Sequence, residues 1–251
     1  MELNRDLHIH TFHSPCGWDE MVPAEIIRVA MERGIVHIGI LDHFYPFTNL
    51  ACLDEVRSAV SDALASMSNP PRVYLGIEAE VMAPGKTTAT SELAEKLDFI
   101  MLGATHFQNK GITEPLPNGT DREIAEYFLK MFEYAVSIPF ADVIAHPFHV
   151  VPDVAPVRIL ETLTEKDILP ALELAKENDI AMEISHRALT PGQLEFSRWF
   201  YPLCKRVGLK FSIGSDAHTL NRVGYVEVLK PLLVEARITE QDLWLPQLKS
   251  G

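Results

Sequence analysis

The sequence predicts an α/β barrel, and three observations carry that expectation. Short β-like runs alternate with amphipathic helical stretches along the whole of the 251 residues. The runs are apolar without strict alternation, as strands covered on both faces of a parallel sheet are. His, Asp and Glu residues gather at their C-terminal ends, and in parallel α/β folds those ends share one face, where active sites are built. Seven such runs in a chain of this length favour closure into a barrel over an open, doubly wound sheet. Residues 1–251 read as one domain, with no low-complexity segment or linker.

The elements follow in order. The first β-like run is Arg5–His10. Pro23 opens a helix with Ile26, Ile27, Ala30 and Met31 at helical spacing, and Gly34 closes it. Val36–Leu41 is the second run, followed by weak helical periodicity over Asp54–Met67. Arg72–Val81 and Phe99–Thr105 are the third and fourth. Thr120 and Glu123 form a capping box ahead of Ile124, Phe128, Met131, Phe132 and Ala135, which share a helix face. Asp142–His146 is the fifth run; weak periodicity over Asp167–Asn178, with Pro170 near its start, leads to the sixth, Ile180–Ser185. Pro191 precedes Phe196, Trp199, Phe200, Leu203 and Val207, again at spacings of three and four, and Lys210–Ser215 is the seventh run.

Composition excludes several classes. With 47% hydrophobic residues the chain is no disordered polymer. It carries 22 Lys+Arg against 35 Asp+Glu, and a net charge of -13 opposes binding to nucleic-acid backbones. No apolar run is long enough to span a membrane. Met1–Asp6 is too polar for a secretory signal. Three widely spaced cysteines, Cys16, Cys52 and Cys204, fit a reduced compartment, so the expected location is the cytoplasm.

Ten histidines are the unusual feature, because of where they fall. His8 and His10 end the first run and share a strand face while Ile9 points away. His43 lies just past the second; Glu78 and Glu80 end the third; His106 follows the fourth; His146 and His149 end the fifth. His186 and Arg187 end the sixth, and Asp216 and His218, again two apart, end the seventh. Imidazoles and carboxylates are ligands of Zn, Mn and Fe, and this many around one rim suggest more than one ion. Two close cations need a carboxylate between them, and Glu78 is preferred to Glu80, which could equally be an exposed strand residue. Taken singly, each histidine could be a core or capping residue, and Asp216 a helix cap. His37 begins a run and reads as structural; Cys52 and Cys204, on helical stretches, read as packing residues. His13 and His149 suit partners of ligands or solvent-facing positions. His186 suits a ligand or a substrate contact.

These residues resemble the polymerase and histidinol phosphatase (PHP) superfamily of metal-dependent phosphoesterases. Asp-Leu-His-Ile-His-Thr at Asp6–Thr11 is similar to its first motif and Leu-Asp-His at Leu41–His43 to its second. Gly-Ile-Glu-Ala at Gly76–Ala79 is similar to the strand with the bridging glutamate, His106 and the His-Pro of His146 to the middle ligands, and Gly-Ser-Asp-Ala-His at Gly214–His218 to the last motif. The resemblance implies a distorted (β/α)7 TIM-like barrel with two to three Zn, Mn or Fe ions at the C-terminal strand ends. It implies that His8, His10, Glu78 and Asp216 hold the first metal, and Glu78, His106 and His146 the second. His43 and His218 would belong to a third, with a ligand from the loop after the first motif. That loop departs from the commonest patterns and offers Asp19, Cys16 or His13; hard-ligand preference favours Asp19.

The chemistry expected of such a cluster is hydrolysis by a metal-bridging hydroxide, with Glu78, Asp216 and His218 at the reacting centre. The ions would also offset charge in the transition state. Arg187 suits a bidentate grip on phosphate, with His186 and Arg222 as further substrate contacts. The expected reaction is phosphomonoester hydrolysis on a small metabolite, histidinol phosphate being one candidate. The rivals are a phosphodiesterase or exonuclease-like activity, an amide or lactone hydrolase, and a non-catalytic metal-binding module. No membrane or large nucleic-acid partner is expected.

Overall fold

A computed structural model describes residues 1–248. All seven predicted runs are strands: β1 (Arg5–Ile9), β2 (His37–Phe44), β3 (Arg72–Ala83), β5 (Phe99–Gly103), β6 (Val143–Ala145), β7 (Ala181–Ile184) and β8 (Phe211–Ile213). They pair in chain order, all parallel. The sequence did not foretell a two-residue strand, β4 (Lys86–Thr87), which pairs antiparallel with β3. The sheet closes where β1 meets the segment after β8. Ile9 bridges Ala217, with His10 N–H donating to the Ala217 carbonyl at 2.9 Å. Behind that seam the buried carboxylate of Asp6 accepts from the amide of Ser215 at 2.7 Å, its hydroxyl at 2.6 Å and the amide of Gly224 at 2.6 Å.

The helices form the outer layer: α1 (Pro23–Glu32), α2 (Ala51–Ser66), α3 (Ser91–Lys96), α4 (Asp121–Val136), α5 (Glu165–Glu177), α6 (Gln193–Val207) and α7 (Lys230–Glu235). Pro23 stands in the first turn of α1 and the Thr120–Glu123 capping box opens α4, as predicted. The two weakly periodic stretches are also helices, each beginning two or three residues earlier than expected. The apolar faces of the helices pack on Ile38, Ile40, Ile77, Ile100, Ile144, Met182 and Ile213, the outward positions of the strands.

The inward positions form a second core inside the barrel: Leu7, Leu41, Tyr74, Phe99, Met101, Val143 and Ala181, closed from below by Trp244 and Leu245. Above this apolar layer the same strands turn polar. In β1 the change needs a bulge, since Asp6 pairs with Ile38 but Ile9 with Ile40, three residues against two. The bulge lets Leu7 fill the apolar layer and still aims His8 and His10 into the barrel above it.

Candidate metal centre and active site

The polar layer is set by strand alternation. His43 lies within β2, not past it as expected, and stands in register with Glu78 on β3. Glu78 and Glu80, two apart, both face inward, so Glu80 is no exposed strand residue: its exposure is 0%. Glycines keep room for the rings. A Cβ at Gly103 would lie 2.6 Å from Cε1 of His106, and one at Gly214 would lie 2.5 Å from both Glu183 and His8.

The first set of donor atoms is Nε2 of His8, Nε2 of His10, Oε2 of Glu78 and Oδ1 of Asp216. The two nitrogens are 2.9 Å apart; each lies 3.5 Å from Glu78, and they lie 3.6 and 3.4 Å from Asp216. Ligands about 2.0–2.2 Å from a tetrahedral ion are spaced about 3.3–3.6 Å from one another. The second set shares Glu78: Oε1 lies 3.1 Å from Nε2 of His146 and 3.6 Å from Nε2 of His106, and those nitrogens are 3.3 Å apart. A third group joins His10, His43 and His218, all within 4.8 Å. These donor sets fit divalent metal ions. Oε2 of Glu78 and Nδ1 of His43 are moreover buried without a hydrogen-bond partner, although 3.0 Å apart.

The far nitrogen of several rings is fixed by an acceptor, which leaves Nε2 to face the centre. Nδ1 of His8 meets Glu183 at 2.6 Å, and Nδ1 of His106 meets Glu80 at 2.8 Å. Nδ1 of His218 meets the Asp216 carbonyl at 3.0 Å. For His10 the partner is the Ser14 hydroxyl at 2.9 Å. That hydroxyl donates to Asp42 at 2.7 Å, so it accepts from His10 and from the His43 amide. Asp42 also takes the amide and hydroxyl of Thr11, which anchors the loop after β1.

The electrostatics suit cations. Burial opposes charge on Glu78, yet His43, His8 and His106 hold its carboxyl well below the usual range. Asp216 is likewise held low against burial, by His10, His8 and Arg187. Burial also disfavours charge on His8, but Glu183, Glu78 and Asp216 outweigh it and raise its pKa well above that of free histidine. The negative charge that favours a proton on His8 attracts a metal cation among the same groups in the same way. The backbone of two residues of these sets is strained as well: His146 and Asp216 have φ of 26° and 51°.

A cavity of about 350 Å³ opens on the cluster, lined by Glu78, His106, His146, Asp216 and His218 and, further out, by Tyr45, Gln108, Asn109, His149 and Arg187. Arg187 faces it rather than the helices, and its Nε donates to Oδ2 of Asp216 at 2.6 Å. Burial and the charges of His146 and Arg187 lower the pKa of His149 to about 3. His186 caps the Ser215 carbonyl at 2.9 Å and does not line the cavity.

The structure does not bring Asp19 to the cluster. It is exposed and outside the cavity wall, while Cys16 of the same loop lines the cavity. Burial would raise the Cys16 thiol, but hydrogen bonds with His218 and His43 bring it down to about 6. His13 faces away, 3.4 Å from Glu55. Arg222 is exposed, stacked over Tyr225 at 5.1 Å, and is not at the cavity. Cys204 is a buried packing residue of α6, and Cys52 is half-buried on α2. Sequence reasoning missed Glu183 altogether, though a glutamate inside the apolar run Ala181–Ile184 must find a partner when buried.

The motifs that resemble the PHP superfamily in the sequence thus meet at one centre, delivered in chain order around the barrel. No family model matches the chain. It is 25% identical over 255 residues to a protein named probable phosphatase from Caldanaerobacter subterraneus subsp. tengcongensis, covering 96% of this chain and 86% of that one. A probable phosphatase of Acetivibrio thermocellus is 27% identical over 247 residues, covering 94% and 88%. Among solved structures the fold is similar to histidinol phosphate phosphatase from Lactococcus lactis subsp. lactis complexed with zinc, L-histidinol and phosphate. The TM-score is 0.66 at 15% identity, covering 93% of this chain and 94% of that one. No helix among the described residues is long and apolar enough to cross a membrane.

Proposed function

We propose that the chain hydrolyses a phosphomonoester on a small metabolite, using two to three divalent transition metal ions, Zn, Mn or Fe. The observation that carries this reading is the shared carboxylate: Glu78 gives Oε2 to the His8–His10–Asp216 set and Oε1 to the His106–His146 set. His8, His10, Glu78 and Asp216 would hold one ion and Glu78, His106 and His146 a second, with His43, His218 and Cys16 available to a third. Bound ions lower the pKa of water and offset charge on phosphate oxygens.

The chain's own residues do the rest. Arg187, beside Asp216, offers a planar cation to the phosphate at the cavity wall. Tyr45, Gln108 and Asn109 give the leaving group an aromatic face and neutral hydrogen-bonding groups. A cavity of about 350 Å³ suits a metabolite, and a net charge of -13 repels a polyanion. The named relatives support a phosphatase, and the Lactococcus lactis protein makes histidinol phosphate the first substrate to try.

The test is a panel of phosphorylated metabolites, histidinol phosphate included, incubated with metal-loaded protein. Release of phosphate from at least one small monoester is expected. Fully loaded protein that releases none, while cleaving a diester or a lactone, would overturn the reading.

A further inference from the structure

Glu183 is fully buried at the heart of the barrel, and none of the expected ligand sets uses it. Its two oxygens serve two different segments. Oε1 lies 2.6 Å from Nδ1 of His8 on β1, and Oε2 accepts the backbone N–H of His146, after β6, at 2.6 Å. His8 belongs to the first donor set and His146 to the second. The N–H that Glu183 takes belongs to a residue at φ 26°, a conformation that only surrounding contacts can hold. Gly214 packs beside this carboxylate, and a Cβ there would lie 2.5 Å from Oε1, so position 214 admits no side chain while Glu183 stands where it does.

We infer that Glu183 is a positioning residue that couples the two donor sets, aiming Nε2 of His8 with one oxygen and fixing the backbone of His146 with the other. This rests on the metal-binding reading above. Glutamine at 183 keeps the size and breaks the logic. An amide has one acceptor oxygen, so it can take either the His8 ring N–H or the His146 amide, and its NH2 then faces the other donor to donor. Glu80 is the contrast, because both its oxygens face Nδ1 of His106, at 2.8 and 2.9 Å. A glutamine at 80 can keep an oxygen on that nitrogen.

The experiment is a cobalt(II) titration of metal-free wild type, Glu183→Gln and Glu80→Gln, read by visible absorption without substrate. In Glu183→Gln both the first and the second equivalent should bind more weakly, by about 10–100-fold, the cost expected when a ligand's outer partner is lost. Glu80→Gln should weaken one at most. Wild-type binding of both equivalents in Glu183→Gln, or weakening of only one, overturns the coupling. A wild type that takes up no cobalt overturns the metal reading itself, and this inference with it. Should Glu183→Gln not fold, nitrogen-15 ring spectra of wild-type histidines decide: His8 must carry a slowly exchanging proton on Nδ1, and a bare Nδ1 overturns the proposal.

Discussion

Arg187 and Asp216 share one hydrogen bond, Nε to Oδ2 at 2.6 Å, and it divides the carboxylate between two duties. Oδ2 holds the arginine at the cavity wall, while Oδ1 stays 3.4 Å from Nε2 of His10 within the first donor set. In a continuing strand His186 and Arg187 would face opposite sides, but β7 has already ended at Ile184, and a short 3-10 turn, His186–Leu189, carries the arginine to the cavity wall.

Arg187→Lys keeps the charge and loses the planar fork. KM for phosphomonoesters should rise about tenfold, with metal content unchanged in the same sample. Steady-state kinetics with elemental analysis checks this; an unchanged KM would make Arg187 a prop for Asp216 alone.

His146→Ala removes a donor from the second set, and Asp216→Asn removes the charge from the first and leaves one oxygen to serve both that set and Arg187. Turnover should fall below about a tenth of wild type in both, with the far-ultraviolet circular dichroism retained. More activity than that in either variant would mean that its place among the ligands is wrong.

Protein purified gently, without chelators, should carry at least two equivalents of transition metal. Dialysis against a chelator should abolish phosphate release, and Mn or Zn should restore it. One equivalent or fewer after reconstitution would count against two sets sharing Glu78.

Gly103→Ala tests the space around His106. The added methyl would stand 2.6 Å from Cε1 and 2.7 Å from Nδ1 of the ring, so the ring must turn away from Glu80 and His146. kcat/KM should drop about tenfold or more, because sub-ångström placement of such groups matters to rate. An alanine variant with wild-type kcat/KM would show that the pocket is softer than its packing implies.

Much of this site was legible in the sequence, and the exceptions have physical causes. Period-two alternation and parallel strand ends were enough to bring His8, His10, Glu78, His106, His146 and Asp216 together, since both follow from backbone geometry. Glu80 has the same spacing, but one sequence cannot tell the buried end of a strand from its exposed continuation. Glu183 carried a readable signal, a charge within a doubly covered strand, and it went unread because it ends no run. Residue chemistry preferred Asp19 to Cys16, yet it is Cys16 that lines the cavity. A tight turn decides between them: Gly17 N–H bonds the Ser14 carbonyl at 2.8 Å, and Gly17 packs so closely on Thr11 that a Cβ would overlap its carbonyl. That turn faces Cys16 inward and leaves Asp19 beyond it.

The seam that closes the barrel sets an order of assembly. β1 emerges first from the ribosome, yet Asp6 waits for Ser215 and Gly224, 209 and 218 positions later in the chain. Contacts of such separation form late and slowly. Until the segment after β8 is made the chain has His8 and His10 but not Asp216, so the first donor set is incomplete. β1 can pair with β2 early, but its second edge finds a partner only in that later segment, so the donor set that includes Asp216 is completed at that seam.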